Sequence, residues 1–364
     1  MPSAPSASGW GSKISSFYGL TFPELSGWLA KKGQPSYRAR QIYEALYQKG
    51  KEDPAEWTTL PKPLREEFAR EFSGPELEEA QAQVSADGTA KRLWKLLDGS
   101  FVETVMIPVE GRRTVCVSSQ VGCAYRCTFC ASGMEGLTRN LSAGEIVEQV
   151  VRMDRFLKPD RVTHIVFMGM GEPLSNYSQL LQSIRILNAP EGLKIGARKI
   201  TISSVGLVPM IEKLAQEDLQ VELSISLHAP NDGLRGKIMP VNRKHPMVPL
   251  LAACKAYVKH TKRLITFEYI LIDALNDQPE HAEELAGRLK GLLCKVNLIP
   301  CHPVPGASFG RPPMERMAAF EKILREKGIT CTLRQSRGLD IEGACGQLRL
   351  HHETSGPRPL SEQR

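Results

Sequence analysis

Three cysteines with the spacing of metal-cluster ligands lie on one short stretch of the chain. They are Cys123, Cys127 and Cys130, in the order C-x3-C-x2-C. Cysteine thiolates are the usual protein ligands of iron–sulfur clusters, and three of them can bind three irons of a 4Fe-4S cubane. No fourth cysteine follows closely, so one iron stays open to a ligand, as catalytic metal sites require. An open iron can chelate S-adenosylmethionine (SAM) through its amino and carboxylate groups, and the reduced cluster can then break its carbon–sulfur bond.

Zinc is the alternative metal for closely spaced cysteines. Structural zinc sites use two separated pairs, such as C-x2-C with a distant C-x2-C or histidine pair. The chain has no matching second pair. Phe129, an aromatic residue directly before the third cysteine, is typical of radical SAM sequences. The pattern therefore favours an iron–sulfur cluster over zinc.

Small and polar residues follow the predicted strands after this loop. The run GMGEP at residues 169–173 ends a buried strand, where small residues let the backbone approach a ligand and Glu172 can accept a hydrogen bond from the SAM ammonium. Alone this run would indicate an ordinary turn as readily as a site, but after the cysteine loop and one helix it is a strong signal. Ser203 and the run at residues 226–228 end the next two strands, where single residues are more often caps or core. The predicted SAM contacts are Gly171, Glu172, Ser203, Ser226, Leu227 and His228.

Two further cysteines are candidates for thiol chemistry. Cys116 precedes the cluster cysteines on a strand that runs towards them. Cys345 lies in GACGQL, where small neighbours allow an exposed thiol, whereas a structural cysteine normally has bulky apolar neighbours. The remaining four cysteines are interpreted as buried structural residues: Cys254, Cys294, Cys301 and Cys331. Among them only Cys301, at a strand end, could line the site.

Strands and helices must alternate to position these residues. Strand-like runs occur at TVCVSS, RVTHIVFMG, RKITISS, VELSISLH, LITFEYILI, KVNLIP and ITCTLRQ, and amphipathic helices separate most of them. This alternation predicts an α/β fold with a parallel sheet and right-handed crossovers. With six or seven such units we expect a partial (β/α)6-type radical SAM barrel at residues 113–350. Its chemistry belongs at the C-terminal ends of the strands, where the candidate residues fall.

Other segments flank the predicted barrel. Helical apolar spacing predicts a small N-terminal helical accessory domain at residues 15–78, whose basic residues Lys31, Lys32, Arg38 and Arg40 form either a solvated face or a nucleic-acid contact. The run KRLWKLLDGSFVETVMIPV predicts a β-hairpin extension within 79–112, with its turn at Asp98-Gly99. Residues 1–14 are interpreted as a disordered tail and 351–364 as a C-terminal tail.

Composition is ordinary for a soluble globular protein, with 41% hydrophobic and 24% charged residues. There is no apolar run of membrane-helix length and no recognisable secretory signal, so we expect a cytoplasmic protein. The net charge of +7 permits binding to a polyanion without demonstrating it. Nine cysteines, an odd number, favour metal or thiol chemistry over disulfides in such a chain.

Taken together, these segments resemble the RlmN/Cfr family of radical SAM RNA methyltransferases. The resemblance extends over most of the chain, through GQPSYRARQIYEALYQKG, LPKPLREEF, ETVMIP, CVSSQVGCAYRCTFCASGMEGLTRNL, VFMGMGEPLSNY, SLHAPNDGLR, VNLIP and RGLDIEGACGQL. The spacing of Cys116 to the cluster loop and the ACGQL ending distinguish this family from other radical SAM enzymes.

The resemblance implies a mechanism that uses two SAM molecules. One methylates Cys345 by nucleophilic displacement, and the other, bound to the open iron, yields a 5′-deoxyadenosyl radical that takes hydrogen from that methyl group. The methylene radical adds to an adenine carbon of RNA, Cys116 resolves the adduct, and Glu103 matches the family's proton acceptor. A radical suits the electron-poor amidine carbons of adenine, which polar methylation does not reach. His302 replaces an asparagine that contacts SAM in the family, although imidazole can also form a hydrogen bond there.

The resemblance also implies the partners. The family acts on an adenosine of 23S rRNA and, in one branch, on an adenosine of some tRNAs, and we expect methylation at C2. We also expect a flavodoxin- or ferredoxin-type protein as electron donor. The protein is expected to be a monomer that does not bind a membrane. One alternative is C8 methylation of the Cfr type, which confers ribosome-antibiotic resistance. A second is a radical SAM enzyme with a protein or small-molecule substrate, which leaves the N-terminal unit unexplained. A third is a non-catalytic metal-containing nucleic-acid-binding module, which gives no reason for Cys116 and Cys345.

Overall fold

The chain forms a mixed β-sheet of ten strands with helices packed against it and a helical unit at its N-terminal end. The computed structural model describes residues 16–134, 136–302, 304 and 308–348. The tails predicted at residues 1–14 and 351–364 lie outside these residues. None of the helices within the described ranges combines the length and the apolar character needed to cross a membrane.

The N-terminal unit consists of three short helices around an aromatic core. They are α1 (Phe22–Lys31), α2 (Tyr37–Tyr43, continued by a π-helical turn at Glu44–Gln48) and α3 (Lys62–Glu71). A capping box begins α1, since the Thr21 hydroxyl accepts from the Glu24 N–H and the Glu24 carboxylate accepts from the Thr21 N–H. The buried aromatic core includes Phe17, Tyr18, Trp57 and Phe68.

Three antiparallel strands connect this unit to the rest of the sheet. They are β1 (Glu78–Val84), β2 (Ala90–Lys95) and β3 (Phe101–Val109), and β3 pairs with β4 (Arg112–Cys116) so that Val105 lies opposite Cys116. The turn at Asp98-Gly99 has Gly99 at φ +83°, as a tight hairpin requires. The extension therefore has one strand more than the predicted hairpin. Because β1 is polar and mostly exposed, its sequence lacks the alternation that indicates a half-buried strand.

A small ribbon surrounds the cysteine loop after β4. Strands β5 (Gln120–Gly122) and β6 (Leu137–Asn140) pair antiparallel as a separate two-stranded sheet. The three cysteines and the short helix α4 (Ala131–Met134) lie between these strands. The ribbon closes at the loop's first cysteine, where the Cys123 N–H donates to the Gly136 carbonyl at 2.8 Å.

The parallel strands form a partial barrel. In chain order its elements are α5 (Ala143–Phe156), β7 (His164–Phe167), α6 (Tyr177–Asn188), β8 (Ile200–Ser204), α7 (Val208–Leu214), β9 (Glu222–Ser226), α8 (Asp232–Ile238), α9 (Met247–Thr261), β10 (Ile265–Leu271), α10 (Pro279–Leu289), β11 (Cys294–Pro300), α11 (Met314–Glu326) and β12 (Thr330–Leu333). The sheet order is β1-β2-β3-β4-β7-β8-β9-β10-β11-β12, parallel from β4 onward. Within the described residues no pairing joins β12 to β1, so the sheet is open. The predicted partial barrel is confirmed, and its seven parallel strands, β4 and β7 to β12, correspond to the seven predicted strand-like runs.

Burial of both faces explains why these strands are nearly continuous apolar runs. Every residue of β10 is buried, including Glu268, the only charged residue of that strand. Helices cover the outer face of a parallel sheet, so alternation between polar and apolar positions is lost. Because parallel strands end at a common edge, the residues that follow β4, β7, β8 and β9 meet there.

Candidate functional site

The cysteine loop is held by backbone hydrogen bonds and is largely shielded from solvent. Cys127 is buried, and Cys123 and Cys130 are half-buried. The Thr128 N–H donates to the carbonyl of Ile238, the last residue of α8, at 3.0 Å. Burial raises the pKa of the Cys123 thiol to about 12 and that of Cys127 well above its usual value. These thiols therefore stay protonated until a metal displaces the protons, because iron binds thiolate.

The loop's donor set fits an iron–sulfur cluster. Within the ranges that the structure describes, no three His, Cys, Asp or Glu side chains are grouped so as to hold one metal ion. In a cubane each cysteine binds a different iron, so the ligand sulfurs lie farther apart than those around one ion. Three thiols on one loop are soft ligands of the kind that iron–sulfur clusters use.

The turn after β7 approaches the neighbouring backbone as closely as glycine permits. A Cβ on Gly169 would lie 2.7 Å from the Val117 carbonyl oxygen, and one on Gly171 would lie 2.5 Å from the Cβ of Gln120. Gly171 also has φ +99°, a conformation that residues with side chains rarely adopt. The Gln120 side-chain oxygen accepts from the Glu172 N–H at 2.8 Å and fixes the turn. Only glycine fits at these two positions.

Glu172 is a buried carboxyl group held by main-chain donors. Its Oε2 accepts from the Val205 N–H at 2.7 Å and its Oε1 from the Leu174 N–H at 3.0 Å. Burial raises the pKa of Glu172 to about 7, although these hydrogen bonds oppose the rise. Because a positive ligand favours the ionised form, an ammonium group in this cleft would hold Glu172 as a carboxylate.

A first cleft, with about 700 Å³ of open space, lies at the C-terminal ends of β7 to β10. It brings together five of the seven predicted SAM contacts with one of the two further cysteines: Gly171, Glu172, Ser203, Ser226, His228 and Cys345. Phe129 of the cysteine loop also lines it. The cysteine loop therefore lies at the wall of this cleft.

His228 is a neutral imidazole in that wall. Its Nδ1 accepts from the Ile270 N–H at 3.0 Å, which places its proton on Nε2. Burial and the charge of Arg235 lower its pKa to about 3. The Phe129 ring packs edge-on against it with centroids 4.8 Å apart. His228 can therefore donate a hydrogen bond from Nε2 but cannot act as a cation.

Two predicted SAM contacts lie elsewhere. The Leu227 side chain is fully buried in the core, and its backbone N–H donates to the Glu268 carbonyl at 3.0 Å. His302 lines a second cleft, where its Nε2 is 2.8 Å from the Ser336 hydroxyl. The structure thus leaves only the backbone of Leu227 near the first cleft and separates His302 from the other contacts.

The second cleft holds both cysteines predicted for thiol chemistry. It has about 1260 Å³ of open space and is lined by Cys116, Cys345, His302 and Arg334, among others. Burial raises the pKa of the Cys116 thiol to about 12, whereas Cys345 is exposed. Cys345 lines both clefts and so stands between them.

The loop that carries Cys345 is anchored upstream to the turn between β1 and β2. The Gly338 N–H donates to Asp87 Oδ2 at 3.0 Å, and in return the Ala86 N–H donates to Asp340 Oδ2 at 3.3 Å. Gly338 has φ +63°. The antiparallel extension, which looks remote in sequence, therefore supports the base of this loop.

Downstream, the same loop is attached to the cysteine loop. The Ala131 N–H donates to the Gly346 carbonyl at 2.8 Å. The Ser132 hydroxyl donates to the Leu348 carbonyl at 2.6 Å. Cys345 is thus held between the β1–β2 turn and the residues that directly follow Cys130.

Glu103, the predicted proton acceptor, lies on β3 beneath this loop. It forms an ion pair with Lys91 at 3.0 Å, and both side chains are at most 10% exposed. Lys91 also donates to the Glu342 carbonyl at 3.5 Å. Val105 lies directly opposite Cys116 in the antiparallel register, and Glu103 lies two residues before Val105 on the same strand. The side chains of Glu103 and Cys116 therefore lie on the same face of the sheet.

Three charged residues of the clefts were not among the predicted site residues: Glu268, Arg334 and Arg337. Glu268, 3% exposed, lines the first cleft, and Arg334 lines the second, with Arg334 Nη1 4.0 Å from Glu268 Oε2. Among the described residues Glu268 Oε2 has no hydrogen-bond partner. A carboxylate inside the apolar run LITFEYILI is a signal that could have identified Glu268, because buried charges are rare.

Two family profiles match the chain. Residues 16–73 match the ribosomal RNA large subunit methyltransferase N-terminal domain, and residues 117–286 match the radical SAM superfamily. The first match coincides with the helical unit. The second begins directly after β4 and includes the cysteine loop and the ends of β7, β8 and β9.

Whole-length relatives and a solved structure are also similar. Proteins of Geobacillus kaustophilus and Bacillus thuringiensis subsp. konkukian, both described as probable dual-specificity RNA methyltransferase RlmN, are 48% identical to it. The alignments cover 92% and 93% of this chain and 93% and 94% of the relatives. The crystal structure of a radical SAM methyltransferase from Sphaerobacter thermophilus superposes with a TM-score of 0.89 at 51% identity, covering 93% of this chain and 100% of that one.

Proposed function

Because the chain belongs to the RlmN family of radical SAM RNA methyltransferases, we propose that it methylates C2 of an adenosine in 23S rRNA, with tRNA as a second substrate. The enzyme class and the cofactors, a 4Fe-4S cluster and SAM, follow from the family. Membership in an enzyme family removes the support for a non-catalytic metal-containing module. Methylation at C8 differs only in the carbon that is modified, and the experiment below distinguishes it.

In this proposal the residues of the first cleft hold the cofactors. Cys123, Cys127 and Cys130 bind the cluster as thiolates, and loading therefore releases their protons. The bound cluster supplies the electron that cleaves SAM. Glu172 accepts hydrogen bonds from the SAM ammonium, and His228 donates from Nε2 to an oxygen of SAM. Ser203 and Ser226 add hydroxyl groups that can reach the ribose or the carboxylate.

Cys345 lines both clefts, and this position supports a role as methyl carrier. On the side of the first cleft its sulfur can take a methyl group from SAM, as the new carbon–sulfur bond forms and the sulfonium bond breaks. On the side of the second cleft the same sulfur faces the space that it shares with Cys116, where a base bound to the carrier could be released. Glu103 would accept the proton lost by the base, and its carboxylate lies in an ion pair with Lys91.

The target base must leave its stack to reach this space, which favours a loop or a flipped nucleotide. Basic residues of the N-terminal unit are candidates for phosphate contacts, but they differ in solvent exposure and in whether they form ion pairs. Lys32 is engaged by Glu67 at 2.7 Å and Glu71 at 2.6 Å, whereas Lys31 and Arg40 are exposed. We assign the RNA contact to the exposed members. A flavodoxin- or ferredoxin-type electron donor, a cytoplasmic location and a monomer complete the proposal.

The test is analysis of nucleosides after an anaerobic reaction. The reconstituted enzyme receives reductant, SAM and a 23S rRNA fragment or tRNA, and the digested RNA is analysed by mass spectrometry. We expect 2-methyladenosine with the wild type and none with Cys345→Ala, while Cys254→Ala, at a buried cysteine of α9, should behave as wild type. Formation of 8-methyladenosine would contradict the C2 assignment. SAM cleavage without methylation of either RNA would contradict the RNA substrate.

A further inference from the structure

Arg235, on α8, is a fully buried guanidinium whose hydrogen-bond acceptors are all neutral. It donates to the carbonyl oxygens of four residues and to one amide oxygen: Val205 at 2.7 Å, His245 at 3.1 Å, Leu227 at 3.2 Å, Ser226 at 3.4 Å and Asn242 Oδ1 at 2.8 Å. Buried arginines are normally paired with carboxylates. None of the ion pairs between described residues includes Arg235.

The hydrogen bonds of Arg235 are satisfied, but its charge is not neutralised at close range. Neutral acceptors satisfy the N–H groups, yet burying a charge without a counter-ion remains costly. Burial accordingly lowers the pKa of Arg235 to about 10, which still leaves it positive near neutral pH. Asp232 begins the same helix, and its Oδ1 accepts from the Met247 N–H at 2.8 Å. A further negative charge is therefore expected beside Arg235 in the functional protein.

The cysteine loop is the neighbour that can provide this charge. The carbonyl of Ile238, one turn beyond Arg235 on α8, accepts from the N–H of Thr128 at 3.0 Å and from its hydroxyl at 3.4 Å. Thr128 directly follows Cys127. Among the acidic groups around Arg235, Cys127 raises its pKa most, ahead of Asp232. Cysteine binds iron as a thiolate, so a cluster bound here places negative charge on the cysteine loop.

We propose that Arg235 is the buried counter-cation of the iron–sulfur cluster and raises its reduction potential. This inference rests on the proposed function, because it requires a cluster on Cys123, Cys127 and Cys130. Reduction adds one electron, from the flavodoxin- or ferredoxin-type donor, to a group whose thiolates are already negative. A fixed positive charge nearby favours the reduced form, because the reduced cluster carries one more negative charge. Arg235 thus acts through the cluster and is a positioning residue.

A purely structural role is the competing explanation. By binding the carbonyls of Val205, Ser226 and Leu227, Arg235 also joins the ends of β8 and β9. That role predicts reduced stability or cluster content when Arg235 is replaced, but no change in the potential of clusters that are loaded. The two roles are therefore separated by measuring potential rather than activity.

The experiment is a potentiometric titration of cluster-loaded protein in the absence of SAM. The reduced cluster is quantified at each potential by electron paramagnetic resonance. In Arg235→Met the ratio of reduced to oxidised cluster at a fixed potential should fall about tenfold, which corresponds to about 59 mV for one electron. Arg235→Lys keeps the charge and should stay close to wild type. Arg263→Met is the matched control, since Arg263 lies before β10, at the opposite end of the strands, and pairs with Glu222.

A second variant covers the case in which Arg235→Met does not fold. Asn242→Asp preserves the shape around Arg235 but gives it a carboxylate partner in place of the amide oxygen 2.8 Å from Nη1. The potential should fall here as well. An unchanged potential in loaded Arg235→Met or Asn242→Asp, or an equal fall in Arg235→Lys and Arg235→Met, would overturn the role of the charge. Failure of the proposed function is recognised separately, because wild-type protein would then take up no iron and sulfide or would not cleave SAM.

Discussion

Replacing Asp87 by alanine should release the upstream anchor of the loop that carries Cys345. Asp87 accepts from the Gly338 N–H at 3.0 Å across the two loops and from the Thr89 N–H at 2.9 Å within its own turn. A hydrogen bond to a charged group contributes about 1.5–3 kcal/mol, and the lower end applies because Asp87 is exposed. Since a free-energy difference of about 1.4 kcal/mol changes an equilibrium constant about tenfold, the locally open state of the loop should become about tenfold more populated.

Hydrogen exchange measures this opening directly. A peptide spanning residues 335–348 contains the Gly338 N–H and the Gly343 N–H, which donates to the Gly338 carbonyl at 2.8 Å. Both amides should exchange about tenfold faster in Asp87→Ala, and methylation of Cys345 should slow because the thiol is less well positioned. Asp53→Ala is the control, since Asp53 caps a turn of the N-terminal unit by accepting from the Ala55 N–H at 2.8 Å. Unchanged exchange in Asp87→Ala would refute the anchoring role.

Two other predictions concern the first cleft. In Gly171→Ala the new Cβ would lie 2.5 Å from the Gln120 Cβ at a φ of +99°, so stability should fall by about 3 kcal/mol in urea unfolding. Gly27→Ala, inside α1 with open space around it, should instead raise stability by up to about 1 kcal/mol, because alanine favours a helix more than glycine does. Equal stability of the two variants would contradict the close approach. Burial raises the pKa of Glu172 from 4.5 to about 7, so the folded chain holds this proton more tightly than the unfolded chain, and the free energy of unfolding should fall as pH rises through that window. Glu172→Gln should remove on the order of 3 kcal/mol of this dependence between pH 5 and 8, and identical pH profiles of the two proteins would contradict it.

Local patterns predicted the elements of the barrel and the candidate residues at strand ends. Strand-length apolar runs separated by amphipathic helices determine a parallel sheet, and the common edge of its strands then brings Glu172, Ser203, Ser226 and His228 together. The period-two alternation of a strand also explains Leu227. Since Ser226, the last residue of β9, faces the cleft, the next side chain, Leu227, points to the opposite side, into the core.

Long-range contacts could not be predicted in this way. Asp87 and Gly338 are separated by about 250 residues, and nothing local in either turn indicates its partner. The two ion pairs that engage Lys32 likewise depend on α3, which is distant in sequence. The position of Cys345 between two clefts follows from both anchors of its loop. The sequence therefore predicts a candidate thiol but not where the fold places it.

If Cys345 carries the methyl group from SAM to RNA, a single-turnover labelling experiment can trace that group. Enzyme methylated on Cys345 with unlabelled SAM is freed of small molecules and then given RNA, reductant and SAM with a deuterated methyl group. In the first turnover the 2-methyladenosine should contain no deuterium, because its methyl group comes from the protein. Deuterium in the first-turnover product would show direct transfer from SAM and would contradict the role of Cys345.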